Sequence, residues 1–521
     1  MTNAAVLKWD PYDREIALNP YPVYKRLREE QPLYYNEEYD FWAVSHYADV
    51  EACFRDPATF SSGYGDILEI IKAKTKLPDG VFINQDPPIH TAFRALMQKV
   101  ISPRRMSALE GQIRATCAQS LDKVVGQDRF DFITNLGAEM PMKIISGLLG
   151  IPEKDQEAVR KSTDDRIRTE AGKPIEFNID NFSGECFDAF AEYIKWRKSN
   201  PSDDMMSELL AADFKDPTGT VRKLKDDELL AIVNVVAGAG NETTTRLIGW
   251  MGKVLAEHPE QRHQLRANPS LIPQAIEELL RFEPPGPAIA RYVAKDTTIR
   301  GTKIPEGSAM MLLAAAANRD EARFVNGDTF DIHREQRPHL GFGHGIHVCI
   351  GAALARLEGR VAMEEVLKRF SDWEVDYDNA VLSNTSTVRG WDNLPVYVGS
   401  KPKTVSVPAA KPAEAAAPAT AAEVTLEGTW NLVVKGPTGP QPTVLVLQKN
   451  GDAITGTQSG QGTTSTITDF KKTGNQVFWI NHVTSPLKMK VEFSGELTGN
   501  TMSGKVKAGF MGKYPFTGTK A

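Results

Sequence analysis

Residues 337–360 read RPHLGFGHGIHVCIGAALARLEGR, and no other stretch decides as much about the chain. Four glycines, Gly341, Gly343, Gly345 and Gly351, bracket a single thiol, Cys349, and a run with helical spacing follows at once. Glycine lets the backbone turn tightly and approach a flat ligand, while a helix amino terminus and its amides favour an anion. The pattern therefore aims a thiolate out of a tight loop, predicts a lowered thiol pKa, and suits a single iron–thiolate bond. Three other readings of the segment stay open. Cys349 could be a buried structural cysteine, a zinc ligand with His344 and His347, or a nucleophile. Core positions do not need four flanking glycines, a fourth zinc ligand is unspecified, and spacing singles out no partner for a nucleophile.

Working outward, residues 226–258, DDELLAIVNVVAGAGNETTTRLIGWMGKVLAEH, carry apolar residues at helical spacing. Gly238 and Gly240, followed by Glu242, Thr243 and Thr244, weaken this helix where packing prefers Leu or Ala. One use of a weak spot is a groove in the helix wall, where a threonine hydroxyl and a carboxylate supply protons. A packing contact or polar turn is the plainer alternative. In EELLR, Glu278 and Arg281 lie three apart on one helical face, by itself a surface pair worth ~0.2–0.5 kcal/mol. In DPPIHTAFR, His90 and Arg94 lie four apart on a helix that starts after Pro88, so both can face one ligand.

Taken together these motifs resemble the cytochrome P450 family. The segment FGHGIHVCIG, with Phe342, Gly343, Gly345, Cys349 and Gly351, is similar to its heme-binding signature, and the resemblance covers roughly residues 1–400. It implies a mainly α fold with small β-sheets and heme b as cofactor. Cys349 is implied as the axial thiolate, in a loop that includes Phe342, and an anionic sulfur pushing electron density onto iron favours O–O cleavage. His90, Arg94, Arg291 and His347 are implied as the residues that hold the heme propionates. Residues 239–244 resemble the family's oxygen-binding helix, which gives Thr243 a hydrogen bond to the activated oxygen and Glu242 a proton relay from solvent. Glu278 and Arg281 match its ExxR pair, buried and structural. The substrate pocket is implied to include the region from Ile67 to Val81, with Val235, Gly238, Ile289, Thr387 and Val388. Its mostly apolar lining points to an apolar small-molecule substrate.

The activity this implies is monooxygenation: one oxygen atom of O2 enters a C–H bond, by hydroxylation or O-dealkylation, and the other leaves as water. A peroxide-dependent hydroxylase or decarboxylase and a heme-based sensor are the alternatives; Glu242 and Thr243 speak against the peroxide-dependent enzyme. The chain has no cysteine run for an iron–sulfur cluster and no GxGxxG fingerprint after a strand, so electrons must come from other proteins. The resemblance implies a ferredoxin and an NAD(P)H-dependent ferredoxin reductase docking on the cysteine side, with Arg356 a candidate docking charge.

Basic and acidic residues nearly balance, 61 against 67, which argues against nucleic acid as a partner. The opening MTNAAVLKWDPYDREIALNP lacks a basic stretch followed by an apolar run, so stable membrane insertion is not expected and the reading is a cytoplasmic protein. The cysteines, Cys53, Cys117, Cys186 and Cys349, are too scattered for a disulfide framework.

Composition changes after Val398. Residues 401–423, KPKTVSVPAAKPAEAAAPATAAE, read as an Ala/Pro-rich linker, semi-rigid and without core-forming bulk. From residue 424 to 521 short alternating segments are separated by Asn450-Gly451, Gly474-Asn475 and Gly499-Asn500, the pattern of an antiparallel barrel or sandwich that loosely resembles lipocalin-like barrels. Trp430, Phe478, Trp479, Phe493, Phe510, Tyr514 and Phe516 are expected either to line a ligand site or to fill the barrel. Three domains follow: heme domain 1–400, linker 401–423 and β domain 424–521.

Overall fold

The longest element is a helix of 32 residues, Asp226–Glu257. Its first turn is acidic, matching the positive end of the helix dipole, and the Glu228 carboxylate accepts the Lys225 N–H at 2.8 Å. His258 and Pro259 follow it, and Pro259 opens the next helix, Pro259–Ala267. Apolar residues cover most of its circumference because helices pack on several sides: Glu139–Leu149, Glu185–Ser199, Ile272–Phe282 and Ala352–Arg369 all touch it. Their shared core includes Trp250, Leu247, Ile276, Met363 and Trp373, all buried.

The structure, a computed structural model, describes residues 7–75, 77–156, 185–383 and 388–399, and the eight strands between 427 and 520. The chain divides into two units, Met1–Val405 and Ser406–Ala521. The linker expected over 401–423 lies outside the described residues.

The first unit is mainly α with small β-sheets. The largest sheet has five strands in the order Leu33–Asn36, Phe41–Val44, Ala309–Leu312, Ile289–Val293 and Phe60–Ser61. All its pairings are antiparallel except that of Ala309–Leu312 with Phe41–Val44. Among the described residues no helix is long and apolar enough to cross a membrane.

The second unit is a closed antiparallel barrel of eight strands, each paired with its sequence neighbours, from Gly428–Gly436 to Lys513–Lys520. Pairing of the first strand with the last leaves no open edge. Strands flank each of the three Asn/Gly turns that the sequence marks. Side chains alternate in and out, so Trp479 and Val477 point inward while Phe478, between them, is only half-buried. Trp430, Trp479, Phe493 and Phe516 fill the interior, with Trp479 stacked on Phe493 at 4.7 Å and edge-on to Phe516 at 5.7 Å. Tyr514 is half-buried, and Phe510 lies outside the described residues. The buried indole N–H of Trp479 donates to Gln458 Oε1 at 3.0 Å, and Gln458 Nε2 donates to Thr443 Oγ1 at 3.0 Å.

Replacing Trp479 by Ala removes both the stack and the partner of a buried amide, and is expected to destabilise the barrel by about 3–5 kcal/mol. Hydrogen exchange of barrel peptides in the full chain reads this directly; unchanged protection contradicts it.

Candidate functional site

The loop at Cys349 is closed by backbone hydrogen bonds and shaped by glycines. The Cys349 N–H donates to the Phe342 carbonyl at 2.9 Å, and the Gly343 N–H to that of Leu340 at 2.9 Å. Gly343 and Gly345 have φ of 70° and 71°, and a Cβ on Gly345 would sit 2.5 Å from the Phe54 carbonyl oxygen. Immediately after the loop the helix Ala352–Arg369 begins, with Gly351 as its cap.

The thiol opens onto a cavity of about 680 Å³. Although its surface is reached from the cavity, the sulfur lies deep in the unit, and burial pushes its pKa up. The Gly351 and Ala352 N–H groups and the charges of Arg94 and Arg356 pull it down, as the loop pattern anticipates, but burial outweighs them. The lowering expected from the sequence is therefore corrected.

A group of two arginines and two histidines stands on the same cavity. His90 and Arg94 share one face of the helix Ile89–Val100; Arg291 comes from the strand Ile289–Val293, and His347 from the cysteine loop. Arg94 donates to the Val348 carbonyl at 2.6 Å, and the His90 and His347 rings lie 4.1 Å apart. Burial, with the neighbouring Arg94, lowers the pKa of His90 to about 4. Burial, with the charges of His90, Arg291 and Arg94, lowers His347 to about 2. Burial likewise lowers both arginines. His90 Nε2, His347 Nε2 and Arg94 Nε are buried without a hydrogen-bond partner, a costly arrangement for a polypeptide alone. Four nitrogen-bearing side chains in apolar surroundings, beside one thiol, fit a large flat ligand that carries carboxylates. This set does not suit zinc. His344 faces Glu51 at 3.7 Å while His347 stacks on His90, and among the described residues no group of three or more His, Cys, Asp or Glu could hold a metal ion.

Glu242 and Thr243 line the same cavity from the long helix. That helix continues unbroken through Gly238 and Gly240, and both glycines line the cavity. Gly240 also serves packing: a Cβ would meet Ile145 Cδ1 at 2.8 Å. The Thr243 hydroxyl donates to the Ala239 carbonyl at 2.8 Å, and the buried Glu242 carboxylate accepts from Arg246 Nη2 at 2.9 Å. Arg246 also binds Asp392, Ser383 and the Trp391 carbonyl.

Val235, Gly238, Ile289, Val388 and Phe342 line the cavity as well, as do Ile67, Leu68, Ile70 and Val81 of the 67–81 region. Thr387 lies outside the described residues. Glu278 and Arg281 are not solvated but fully buried, paired through two hydrogen bonds of 2.7 and 2.8 Å. Sequence reasoning missed three groups. Arg334 Nε donates to Glu278 at 3.0 Å, Arg246 holds Glu242, and Glu358 is a wholly buried acid on the cavity wall. Burial pushes Glu358 up to about 8, against a hydrogen bond from Thr244. Spacing offered a signal for Arg246, four residues after Glu242; Arg334 and Glu358 had none.

The sequence profile of the family described as Cytochrome P450 matches residues 172–390. Cytochrome P450 130 of Mycobacterium tuberculosis is 34% identical over 394 residues, which is 73% of this chain and 96% of that protein. Among solved structures, cytochrome P450 CYP109Q5 from Chondromyces apiculatus superposes with a TM-score of 0.66 at 34% identity, covering 76% of this chain and 99% of that one. P450BioI, in complex with hexadec-9Z-enoic acid ligated acyl carrier protein, gives a TM-score of 0.66 at 32% identity, covering 74% and 100%.

Truncating Arg281 to Ala leaves Glu278 buried with one guanidinium lost, and is expected to cost about 3–5 kcal/mol and to lower bound cofactor per chain. Urea unfolding and pyridine hemochrome quantitation of the purified variant measure both.

Proposed function

The chain belongs to the cytochrome P450 family, heme-dependent oxidoreductases, and from that premise we propose that it hydroxylates or O-dealkylates a mostly apolar small molecule with O2 and externally supplied electrons. The observation that carries this reading is the convergence on one cavity of Cys349, the two arginines and two histidines beside it, and the Glu242–Thr243 pair. In this reading Cys349 is the axial ligand, and Arg94, Arg291, His90 and His347 hold the propionates. Forked guanidinium donors and neutral imidazole N–H groups suit carboxylates, whose oxygens would accept from nitrogens that otherwise lack partners. When bound, heme b supplies the redox and oxygen-activating chemistry that no side chain can.

The protein's own part is to orient, exclude water and deliver protons. Gly351, Ala352, Arg94 and Arg356 stabilise negative charge on Cys349 Sγ. A hydroxyl has one hydrogen to give and lone pairs to receive, so Thr243 Oγ1 can turn from the Ala239 carbonyl towards an oxygen in the cavity. Glu242 is held by Arg246, and a swing away from it lets the carboxyl collect a proton from solvent and pass it towards Thr243. Apolar walls from Ile67, Val81, Val235, Ile289 and Val388 support an apolar substrate. For electrons we assign a ferredoxin and an NAD(P)H-dependent ferredoxin reductase, and a cytoplasmic location.

Two variants test this reading. Replacing Cys349 by His is expected to abolish the red-shifted Soret band of the reduced carbon-monoxide complex; retention of the band refutes the ligand assignment. Replacing Thr243 by Ala is expected to keep heme bound but uncouple NAD(P)H oxidation from product formation. Equal coupling in variant and parent refutes the proton assignment.

A further inference from the structure

Glu277 sits beside the buried Glu278 on the helix Ile272–Phe282, but its side chain faces the cysteine loop. Arg356, on the helix that follows Cys349, grips it through both forks, Nε to Oε1 at 2.6 Å and Nη2 to Oε2 at 3.0 Å. The same guanidinium lies over the Phe342 ring, 4.5 Å from its centroid. Phe342 in turn gives its carbonyl to the Cys349 N–H. His339 closes the cluster. Its Nδ1 accepts the Gly341 N–H at 3.1 Å, which puts the proton of the neutral ring on Nε2, and Nε2 faces Glu277 Oε2 at 3.4 Å. A Cβ on Gly341 would sit 2.6 Å from the Leu280 carbonyl, so this end of the loop is pressed against the helix that carries Glu277.

We propose that Glu277 and Arg356 are positioning residues that set the electron-donating strength of Cys349, Arg356 by placing a positive charge behind the loop and Glu277 by partly cancelling it. The inference rests on the assignment of Cys349 as axial ligand. Arg356 is thereby more than the docking charge expected of it, because its guanidinium is already engaged by a carboxylate and a ring. Two further observations agree. Burial opposes the charged form of Glu277, yet His339 and Arg356 hold its pKa at about 2, so the carboxylate is ionised at any working pH. The charge of Arg356 is also among those that reach the Cys349 sulfur. Positive charge near the iron favours the reduced state, which carries one less positive charge, and negative charge favours the oxidised state.

The test is a spectroelectrochemical titration of the holoenzyme at low ionic strength, where a half-exposed charge is least screened. Glu277→Gln is expected to move the ferric/ferrous midpoint to a more positive value, Arg356→Gln to a more negative one, and the double variant back towards the parent. Arg356→Lys, which keeps the charge but loses the fork and the ring contact, is expected to shift it less than Arg356→Gln. A merely structural brace would move both single variants the same way or not at all, and either result overturns the inference. If Glu277→Gln fails to load heme, the contrast between Arg356→Gln and Arg356→Lys decides by the same sign rule. The red-shifted band of the reduced carbon-monoxide complex separates the two levels: present in the parent with unmoved potentials, it overturns this inference alone; absent from the parent, it overturns the ligand assignment and this inference together.

Discussion

A buried carboxylate and a buried guanidinium hold the cysteine loop where it is. Arg281 spends two donors on Glu278 and the others on the carbonyls of Asn318, Gly327 and Thr329, three points on the chain that leads to the loop. Glu278 meanwhile accepts from the Asp331 N–H and from Arg334. Asn318 passes the constraint on, since its Oδ1 accepts the Leu340 N–H at 2.7 Å, next to the glycines that shape the thiol's surroundings. Burying two charges is costly, and the cost is met only because nearly every donor and acceptor finds a partner. The loop's geometry is thus a property of a helix more than fifty residues upstream.

Around that loop the cavity wall carries both basic and acidic side chains. His90, Arg94, Arg291 and His347 come from the helix Ile89–Val100, the strand Ile289–Val293 and the cysteine loop, while the buried acids Glu242 and Glu358 sit on the long helix and the cysteine helix; Asp66 and Glu69 line the cavity as well. The buried acids are managed in two ways. Glu242 is neutralised by Arg246, whereas Glu358, which has a hydrogen bond from Thr244, is pushed by burial towards its protonated form. One cavity therefore holds a paired carboxylate and a carboxylic acid within the same two-helix wall.

Much of this is legible in the sequence, for physical reasons. Local constraints read well: glycines with positive φ around Cys349, His90 and Arg94 one turn apart, and alternation with Asn/Gly turns in the tail. Long-range constraints did not. Spacing alone makes Glu278 and Arg281 an ordinary surface pair, because nothing in EELLR reveals that three distant carbonyls and Arg334 enclose it. The glycines of the long helix mark a weak spot, but they do not reveal that Gly240 accommodates Ile145, a neighbour brought there by tertiary packing. The upward push on the thiol escapes the sequence for the same reason, since desolvation depends on everything packed around the sulfur and the sequence displays only its nearest amides. In the tail, periodicity could not separate barrel from sandwich, a distinction made by one pairing between strands about eighty residues apart.

That pairing has a topological corollary. Trp430, near the start of the β unit, lies opposite Lys520, near its finish, so the module's way in and way out stand side by side. A unit whose termini are adjacent can be grafted onto a host polypeptide at a single junction, or inserted into one, without either fold having to stretch.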